Sequence, residues 1–590
     1  MREAAVALFR LFQSVDDENY INLKKWAEQN INNEMYVYAL RLDSLYGTNT
    51  PQNSILPPFI LNPRYFVNSE TITKAFTMLE DLKENGKIDP ATAEEDQYDE
   101  VFSAFDRKQQ FIVIDSNYSG WNLPKNGIDE DINYFREDVG LNSYYLGMHL
   151  LHPFWMSNEE LDMSYSRHAE HYYYVHQQLM ARYLLEKEHL PKNKPIDGRD
   201  DTDYVPYLSY KNGLPFPTRS CIRGDWDSEK ALIKSIDIAI KECIARGLII
   251  MENGTAINLT DDSHIEELSK LIRANLDGVK TAKVVRSVFG YGSNRSPIDK
   301  YNPAPSLLHH PETSLRDPVY WYLIQSMLNY FTEYKNTMEP YDLTQYETEE
   351  IKIIDNDEIT NLYFASYFHS YKFPLDYARN TKANDIRDQN TYIAVRQRRL
   401  QHEDFEIPLS FETSAEVLVV VRLYLGPQCG SNCWQEYSKF FELDTHVRLL
   451  QKGYTHALVS SKSFKQHSFD SLFDSVSLRP EIARKSNSYS TFKFPDNLLI
   501  PRGLKSGLNL TLFVMVTPVD VFEDLSPLPI RTNNYGRAVE MFDSKPLGFP
   551  FHRPAAGFKE AASNYRFYNI TVYHKQEYLQ PKATFTPNLY

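Results

Sequence analysis

Six of the chain's 16 histidines fall between Ile132 and Pro191: His149, His152, His168, His171, His176 and His189. Imidazole is a standard ligand for zinc and copper, and three of them converging from helices make a metal centre. Tyr145 and His149 are four apart, which puts both on one helix face. His176 belongs to a second helix, about Glu170–Glu188, in Tyr174-Val-His-Gln-Gln-Leu-Met-Ala-Arg-Tyr183. Two antiparallel helices offering two groups and one can form a three-ligand site. Here only two of the three are imidazole. A phenol is a poor substitute for a neutral nitrogen ligand to copper(I). The plainer reading, favoured by spacing alone, is ordinary half-buried histidines in an aromatic bundle. His168 and His171 are three apart, and His171 and His176 five apart, so they do not share one face; a solvated or hydrogen-bonded role is expected. His309-His310, between Leu308 and Pro311, reads as a surface pair in a loop. No Gly-rich phosphate loop, G-x-S-x-G elbow or H-E-x-x-H motif occurs.

These groups need helices to position them. Apolar residues spaced at three and four predict helix over 1–45 and over 69–84, the latter opened by Ser69-Glu70. Two helices are expected over 131–187, around His152-Pro-Phe-Trp-Met-Ser-Asn158, and further helices over 228–252 and 261–276. Residues 191–220 and 284–313 read as loop-rich, and the acidic 89–100 stretch as a solvated loop. Arg316-Asp317-Pro318 opens a helix to about Tyr334, because proline suits the first helical turn. Phe111–Asp115 could be a strand. After residue 345 the pattern turns to alternating runs at Val417–Leu425, Leu508–Val516 and Phe567–Tyr573, which predict an antiparallel sandwich or barrel. Helices first and strands last imply separate domains.

Length and composition bound the rest. The chain has 590 residues and a net charge of −16, which disfavours nucleic acid or an anionic membrane as partner. Tyr, at 41, is nearly twice Gly, at 22, and Phe reaches 33; glycine is ordinarily among the commonest residues. Either the rings pack in cores or the composition is itself the product. Four cysteines are too few for a disulfide scaffold. Cys429 and Cys433 could close a small loop or stay as thiols; spacing does not decide. No apolar run approaches a membrane span of about 18 residues. Residues 1–12 read as an amphipathic helix, with no cleavage site of a signal peptide. Six Asn-x-Ser/Thr sequons, at Asn117, Asn253, Asn258, Asn294, Asn509 and Asn569, are near chance for an Asn-rich chain.

Longer matches then identify a resemblance. Glu137-Asp-Val-Gly-Leu-Asn-Ser-Tyr-Tyr145, His152-Pro-Phe-Trp155 and the Tyr172–Tyr183 run are followed by Ser209-Tyr-Lys, Phe216-Pro-Thr-Arg219 and Thr313-Ser-Leu-Arg-Asp-Pro318. Val395-Arg-Gln-Arg-Arg-Leu400, Val419-Val-Val-Arg-Leu-Tyr-Leu-Gly-Pro427 and Leu547-Gly-Phe-Pro-Phe-His-Arg-Pro554 complete the series. In this order the chain resembles the arthropod hemocyanin superfamily, and within it the insect hexamerins, arylphorin-like larval storage proteins. The resemblance implies an α+β multidomain fold: a helical N-terminal domain over 1–130, a four-helix-bundle middle domain over 131–343, and an immunoglobulin-like antiparallel β domain over 344–590. It also implies a signal peptide and a longer first domain, so this chain reads as starting inside that domain.

Active hemocyanins and phenoloxidases hold two coppers on six histidines. Carried over by resemblance, the first site falls on Tyr145, His149 and His176, and the second on Val284, Val288 and Ile324. The alignment around 284 is loose by a residue or two, but no histidine lies between His264 and His309. The expectation is a chain with no catalytic residues, no metal and no cofactor. His552 sits where the storage proteins usually show an Asp.

The resemblance implies a non-enzymatic haemolymph storage protein, extracellular and later held in fat-body granules. It would assemble as a homo- or hetero-hexamer of like subunits, with an uptake receptor as a further partner and no membrane insertion. A haemolymph carrier of a small hydrophobic ligand such as juvenile hormone, and a crustacean-type copper-free pseudohemocyanin, are the alternatives.

Overall fold

Leu8, Phe9 and Phe12 recur at helical spacing and are buried together, which makes the first twelve described residues one amphipathic helix, α1 (Arg2–Gln13). Helix α2 (Asp17–Asn30) begins where the Asp16 carboxylate accepts from the Asn19 amide at 2.9 Å. It buries Tyr20 and Ala27 against α1 and α3 (Asn33–Tyr46). A computed structural model of the chain describes residues 2–46, 57–85, 98–102, 108–116, 118, 132–153, 167–190, 204–210, 212–219, 226–260, 264–276, 281–290, 305–375, 391–464, 494–519, 543–556 and 562–575. The 89–97 part of the expected acidic loop lies outside them. Among the described residues, no helix is long and apolar enough to cross a membrane.

After α4 (Pro58–Leu61) and α5 (Ser69–Asn85) the chain forms a hairpin of β1 (Tyr98–Phe102) and β2 (Lys108–Ser116). The helical middle follows: α6 (Asn133–Arg136), α7 (Val139–Leu151), α8 (His168–Lys187) and α9 (Asp227–Arg246). The helix expected over 228–252 stops at Arg246, because Gly247 takes a left-handed φ of 64° that ends helices. Leu248 and the β-branched Ile249 and Ile250 after it form β3 (Leu248–Ile250), paired with β4 (Ala256–Asn258). Next come α10 (Ile265–Leu276), α11 (Thr281–Gly290), α12 (Pro311–Ser314) and α13 (Pro318–Asn336). Helix α11 lies largely in sequence that reads as loop-rich; its Ala282, Val285 and Val288 face inward at spacings of three. Asp317 caps α13 through the Val319 amide at 3.0 Å, as its Asp-Pro start predicts.

The final third adds β5 (Tyr341–Asp342), β6 (Ile351–Ile354), the short α14 (Asp357–Thr360), β7 (Tyr363–Pro374), β8 (Thr391–His402) and β9 (Glu406–Thr413). Strands β10 (Val417–Pro427), β11 (Phe441–Leu450), β12 (Gly453–Ser460), β13 (Leu508–Pro518), β14 (Ala555–Ala556) and β15 (Tyr565–His574) follow. Eight strands form one sheet in the order β1-β2-β8-β7-β15-β13-β10-β11, and β12-β9-β6 form a smaller one. Alternate residues Val419, Val421 and Leu423 of β10 share a core with Ile407, Leu409 and Phe411 of β9.

The large sheet is mixed, not purely antiparallel. Strand β15 pairs parallel with β7, and β2 pairs parallel with β8. Parallel partners need long crossovers, and here the whole helical middle lies between β2 and β8. Ile114 of β2, Phe373 of β7 and Ile393 and Val395 of β8 are buried under Phe59 of α4 and Ile72 and Met78 of α5. Burial of that apolar face draws an N-terminal hairpin into the C-terminal sheet.

Opposite the sandwich core, Tyr424 and Phe513 meet Trp434, Phe549, Phe551 and Tyr565. Trp434 belongs to a 3-10 segment, Gly430–Lys439, closed by a disulfide between Cys429 and Cys433. A ring this short still restricts the unfolded chain by about 2 kcal/mol. Reduction with dithiothreitol is expected to lower the denaturant midpoint accordingly. An unchanged midpoint would show that the aromatic cluster alone holds the segment.

Candidate functional site

Helix α7 starts at Asp138, whose carboxylate accepts from the Leu141 amide at 2.9 Å. About two turns on, Tyr145 points into the interface with α8 and α13 and is buried. Its hydroxyl lies 2.9 Å from the Tyr320 hydroxyl of α13 and 3.4 Å from His176 Nε2 of α8. His176 Nδ1 lies 2.8 Å from the Tyr172 carbonyl. A carbonyl only accepts, so Nδ1 carries the hydrogen and Nε2 keeps its lone pair. That lone pair, the natural metal donor, faces a phenol. The half-buried His149 ring stands edge-on to Tyr145, with centroids 4.7 Å apart.

The structure thus brings Tyr145, His149 and His176 together. The second set is divided. Val288 of α11 is buried against Trp226, with Val284, Ile233 and Phe289 packed around them. Ile324 of α13 lies in the main core, which also holds Val285 rather than Val284. The side chains of Val284, Val288 and Ile324 are hydrocarbon and none can ligate a cation. Copper does not fit this donor set: one group offers two imidazoles and a phenol engaged with Tyr320, the other no lone pair. Among the described residues, no group of three or more His, Cys, Asp or Glu could hold a metal ion.

Sequence reasoning did not single out Tyr320. Its signal is the four-residue spacing to Ile324, which puts both on one face of α13. Nor did it foresee that His152, His168 and His171 cluster. His152 Nδ1 lies 2.9 Å from the Met148 carbonyl, so its Nε2 accepts from His171 Nδ1 at 2.9 Å. His168 Nε2 meets the Leu151 carbonyl at 2.9 Å. The His152 ring lies 4.6 Å from His168 and 4.9 Å from His171. All three are buried. Burial first, then the neighbouring imidazoles, push His171 down to about 3. Burial and the Arg273 guanidinium hold His168 at about 4, and His152 lies well below its ordinary value. His168 and His171 are hydrogen-bonded, one of the two roles expected of them, and are buried rather than solvated.

The remaining candidates are structural. His189 Nδ1 caps the end of α8 through the Glu186 carbonyl. His309 and His310 are not a surface pair: both are half-buried, His309 Nδ1 lies 2.9 Å from Ser306 Oγ, and His310 packs among Tyr65, Tyr210 and Phe216. The aromatic rings around that loop supply burial that its local sequence does not announce. His552 lies 2.9 Å from the Tyr341 hydroxyl, and burial beside Lys335, Arg553 and Arg167 keeps it well below its ordinary pKa.

Helix α8 carries both halves of this arrangement. Seventeen of its 20 residues are buried. One side presents His168, Tyr172 and His176 to the helices. The other meets the β domain: Tyr174 donates to Glu442 at 3.0 Å, Gln177 to the Phe551 carbonyl at 2.8 Å, and Arg182 to the Leu498 and Ile500 carbonyls at 2.5 and 2.7 Å. Polar residues on a buried helix persist because the facing strands and loops satisfy them.

Two family descriptions match the chain: hemocyanin, copper containing domain, over residues 57–331, and hemocyanin, ig-like domain, over 340–574. Among curated relatives, Hexamerin 70b of Apis mellifera is 27% identical over 615 residues, covering 98% of this chain and 84% of the relative. Arylphorin subunit alpha of Manduca sexta is 28% identical over 617 residues, covering 98% and 82%. Sex-specific storage-protein 1 of Bombyx mori is 27% identical, covering 97% and 79%. Of solved structures, a scorpion hemocyanin superposes with a TM-score of 0.76 at 22% identity over 97% of this chain and 91% of its own. A crustacean hemolymph type prophenoloxidase gives 0.74 at 19% identity over 98% and 87%. These two likenesses concern the fold.

Proposed function

We propose that this chain, which belongs to the hemocyanin superfamily, is a non-enzymatic storage protein, a reservoir of amino acids rich in tyrosine and phenylalanine. The observation that carries the reading is the donor set. Bridging dioxygen between two coppers calls for nitrogen ligands on both, and the positions carried over from the family are Tyr145, His149 and His176 on one side and Val284, Val288 and Ile324 on the other. The aromatic composition supports cargo rather than catalysis, and relatives bearing storage names match nearly the full length. The Cys429–Cys433 disulfide supports an oxidising, extracellular setting. Haemolymph as the site of storage, granules of the fat body as its later home, and a hexamer of like subunits belong to the same proposal.

Metal analysis of the purified protein together with its sedimentation mass tests it. The expected result is no stoichiometric copper and a mass of six chains. Two coppers per chain with a bound-peroxide absorption band would overturn it. Replacing Tyr145 by His is a sharper probe. It restores a third imidazole to one group but leaves hydrocarbon at the other, so no dioxygen band is expected on copper titration. It also removes the buried bond to Tyr320, at a cost of about 1–3 kcal/mol in stability by denaturant titration.

A further inference from the structure

Four of the six sequons lie among the described residues, at Asn253, Asn258, Asn509 and Asn569. Their settings differ. Asn253-Gly254-Thr255 is the tip of the β3–β4 hairpin, and all three residues are exposed. The turn is closed by the Met251 amide on the Thr255 carbonyl and the Gly254 amide on the Met251 carbonyl, both at 2.9 Å. Gly254 has a φ of +79°, and nothing lies within 4 Å of where its side chain would begin. The Thr255 amide donates to Asn253 Oδ1 at 3.0 Å. Oxygen and nitrogen branch from one carboxamide carbon, so fixing the oxygen inside the turn aims the nitrogen away from it.

The sequons of the large sheet are set otherwise. The β13–β15 register places Asn509 opposite Thr571 and Asn569 opposite Thr511, so each asparagine faces the other's sequon threonine. Thr571 Oγ1 already donates to Asn509 Oδ1 at 3.2 Å. Thr511 is 2% exposed and touches Cys429. One patch holds both motifs, and a branched oligosaccharide on either asparagine would cover the other. Asn258 is held at the end of β4 against Leu248.

We propose that Asn253 is a site of N-linked glycosylation, projecting an oligosaccharide from the hairpin tip. The proposal rests on the extracellular reading above, because the modification occurs in the secretory pathway. The Asn253 carboxamide nitrogen displaces a lipid pyrophosphate from the anomeric carbon of a lipid-linked oligosaccharide. One C–N bond forms, the C–O bond to pyrophosphate breaks, and the nitrogen gives up one proton; nothing is oxidised or reduced. The hairpin also exposes Ile250 (68%) and Met251 (46%). A sugar rooted two residues from Met251 and three from Ile250 shields apolar surface that would otherwise promote association at high concentration.

The test uses the full chain secreted from insect cells behind an added foreign signal, so the compartment is supplied. Glycans are released enzymatically in oxygen-18 water, and mass spectrometry reads the label at each asparagine. Most molecules should be labelled at Asn253, and few at Asn509 or Asn569. Asn253→Gln and Thr255→Val should each lose the same single glycan while being secreted normally, since both sit in an exposed turn. Unlabelled Asn253 in secreted protein, or labelled Asn253 in Thr255→Val, would overturn the proposal. Whether the chain is exported by the cells that make it is read separately, by fractionating those cells. A failure there removes the storage reading's extracellular setting without touching the occupancy result.

Discussion

Lowering the pH from 7 to about 4.5 is expected to collapse most of the chain's stability. His152, His168 and His171 are buried as neutral imidazoles at the junction of α7 and α8. Burial is the first cause of each depression; their mutual repulsion and the Arg273 charge follow. The sign follows from proton uptake. Above the ordinary histidine value of 6.5, folded and unfolded chains are both neutral at these sites. Below it the unfolded chain takes a proton at each, while the folded chain waits until about 4 for His168 and about 3 for His171. Between those limits stability falls by about 1.4 kcal/mol per pH unit for each histidine. Three histidines over two pH units give an upper bound of about 8 kcal/mol, within the usual range of total stability.

Other groups act in the same window. His309 and His574 are held at about 4 and His310 at about 3, chiefly by burial, and add to the effect. Glu266, which accepts from the Ala169 amide beside the cluster, Glu312 and Asp43 are pushed up by burial and offset part of it. Denaturant midpoints followed by circular dichroism at pH 7, 6, 5 and 4.5 read the result. Midpoints that stay flat would mean the imidazoles accept protons without opening the fold. The same window should bring access for an acid protease, which fits the proposed role as an amino-acid reservoir.

The second large effect is expected from Asp138→Ala. Asp138 is wholly buried and does two things at once. Its Oδ1 caps α7 and accepts from Arg399 Nη2 at 2.9 Å. Its Oδ2 accepts from Arg399 Nε at 2.7 Å and from Asn497 at 3.1 Å. Arg399 belongs to β8, so the pair ties the helical middle to the large sheet. Removing the carboxylate buries a guanidinium without its counter-charge, at about 3–5 kcal/mol, and strips the cap, at about 1 kcal/mol. Asp138→Asn keeps a capping oxygen and should fall between the two. Asp138→Leu with Arg399→Met removes both charges and should recover much of the loss. A denaturant midpoint for Asp138→Ala within about 1 kcal/mol of the parent would show that relaxation or water rescues the arginine.

Much of this architecture was legible. The strands β10, β13 and β15 follow from alternation, and α13 from its Asp-Pro start, because both signals are local. The end of α9 was legible too: Gly247 is the usual stop signal, and the expected helix ran past it. The parallel partner of β2 was not, since pairing with β8 depends on an apolar face completed by α4 and α5. The state of Cys429 and Cys433 was open at spacing four and is settled by the fold of the 3-10 segment.

The histidines divide the same way. Side-chain type alone determined that the stretch from His264 to His309 can offer no intervening imidazole, whatever its register, because no fold turns valine or isoleucine into a donor. Spacing along the chain also placed Tyr145 and His149 on one helix face and His176 on a second helix. What the tertiary structure decided is what those groups do instead. Tyr145 bonds Tyr320, 175 residues on, and His152 accepts from His171 across two helices. Such partners are chosen by packing between elements distant in the chain. Spacing along one helix carries no record of them.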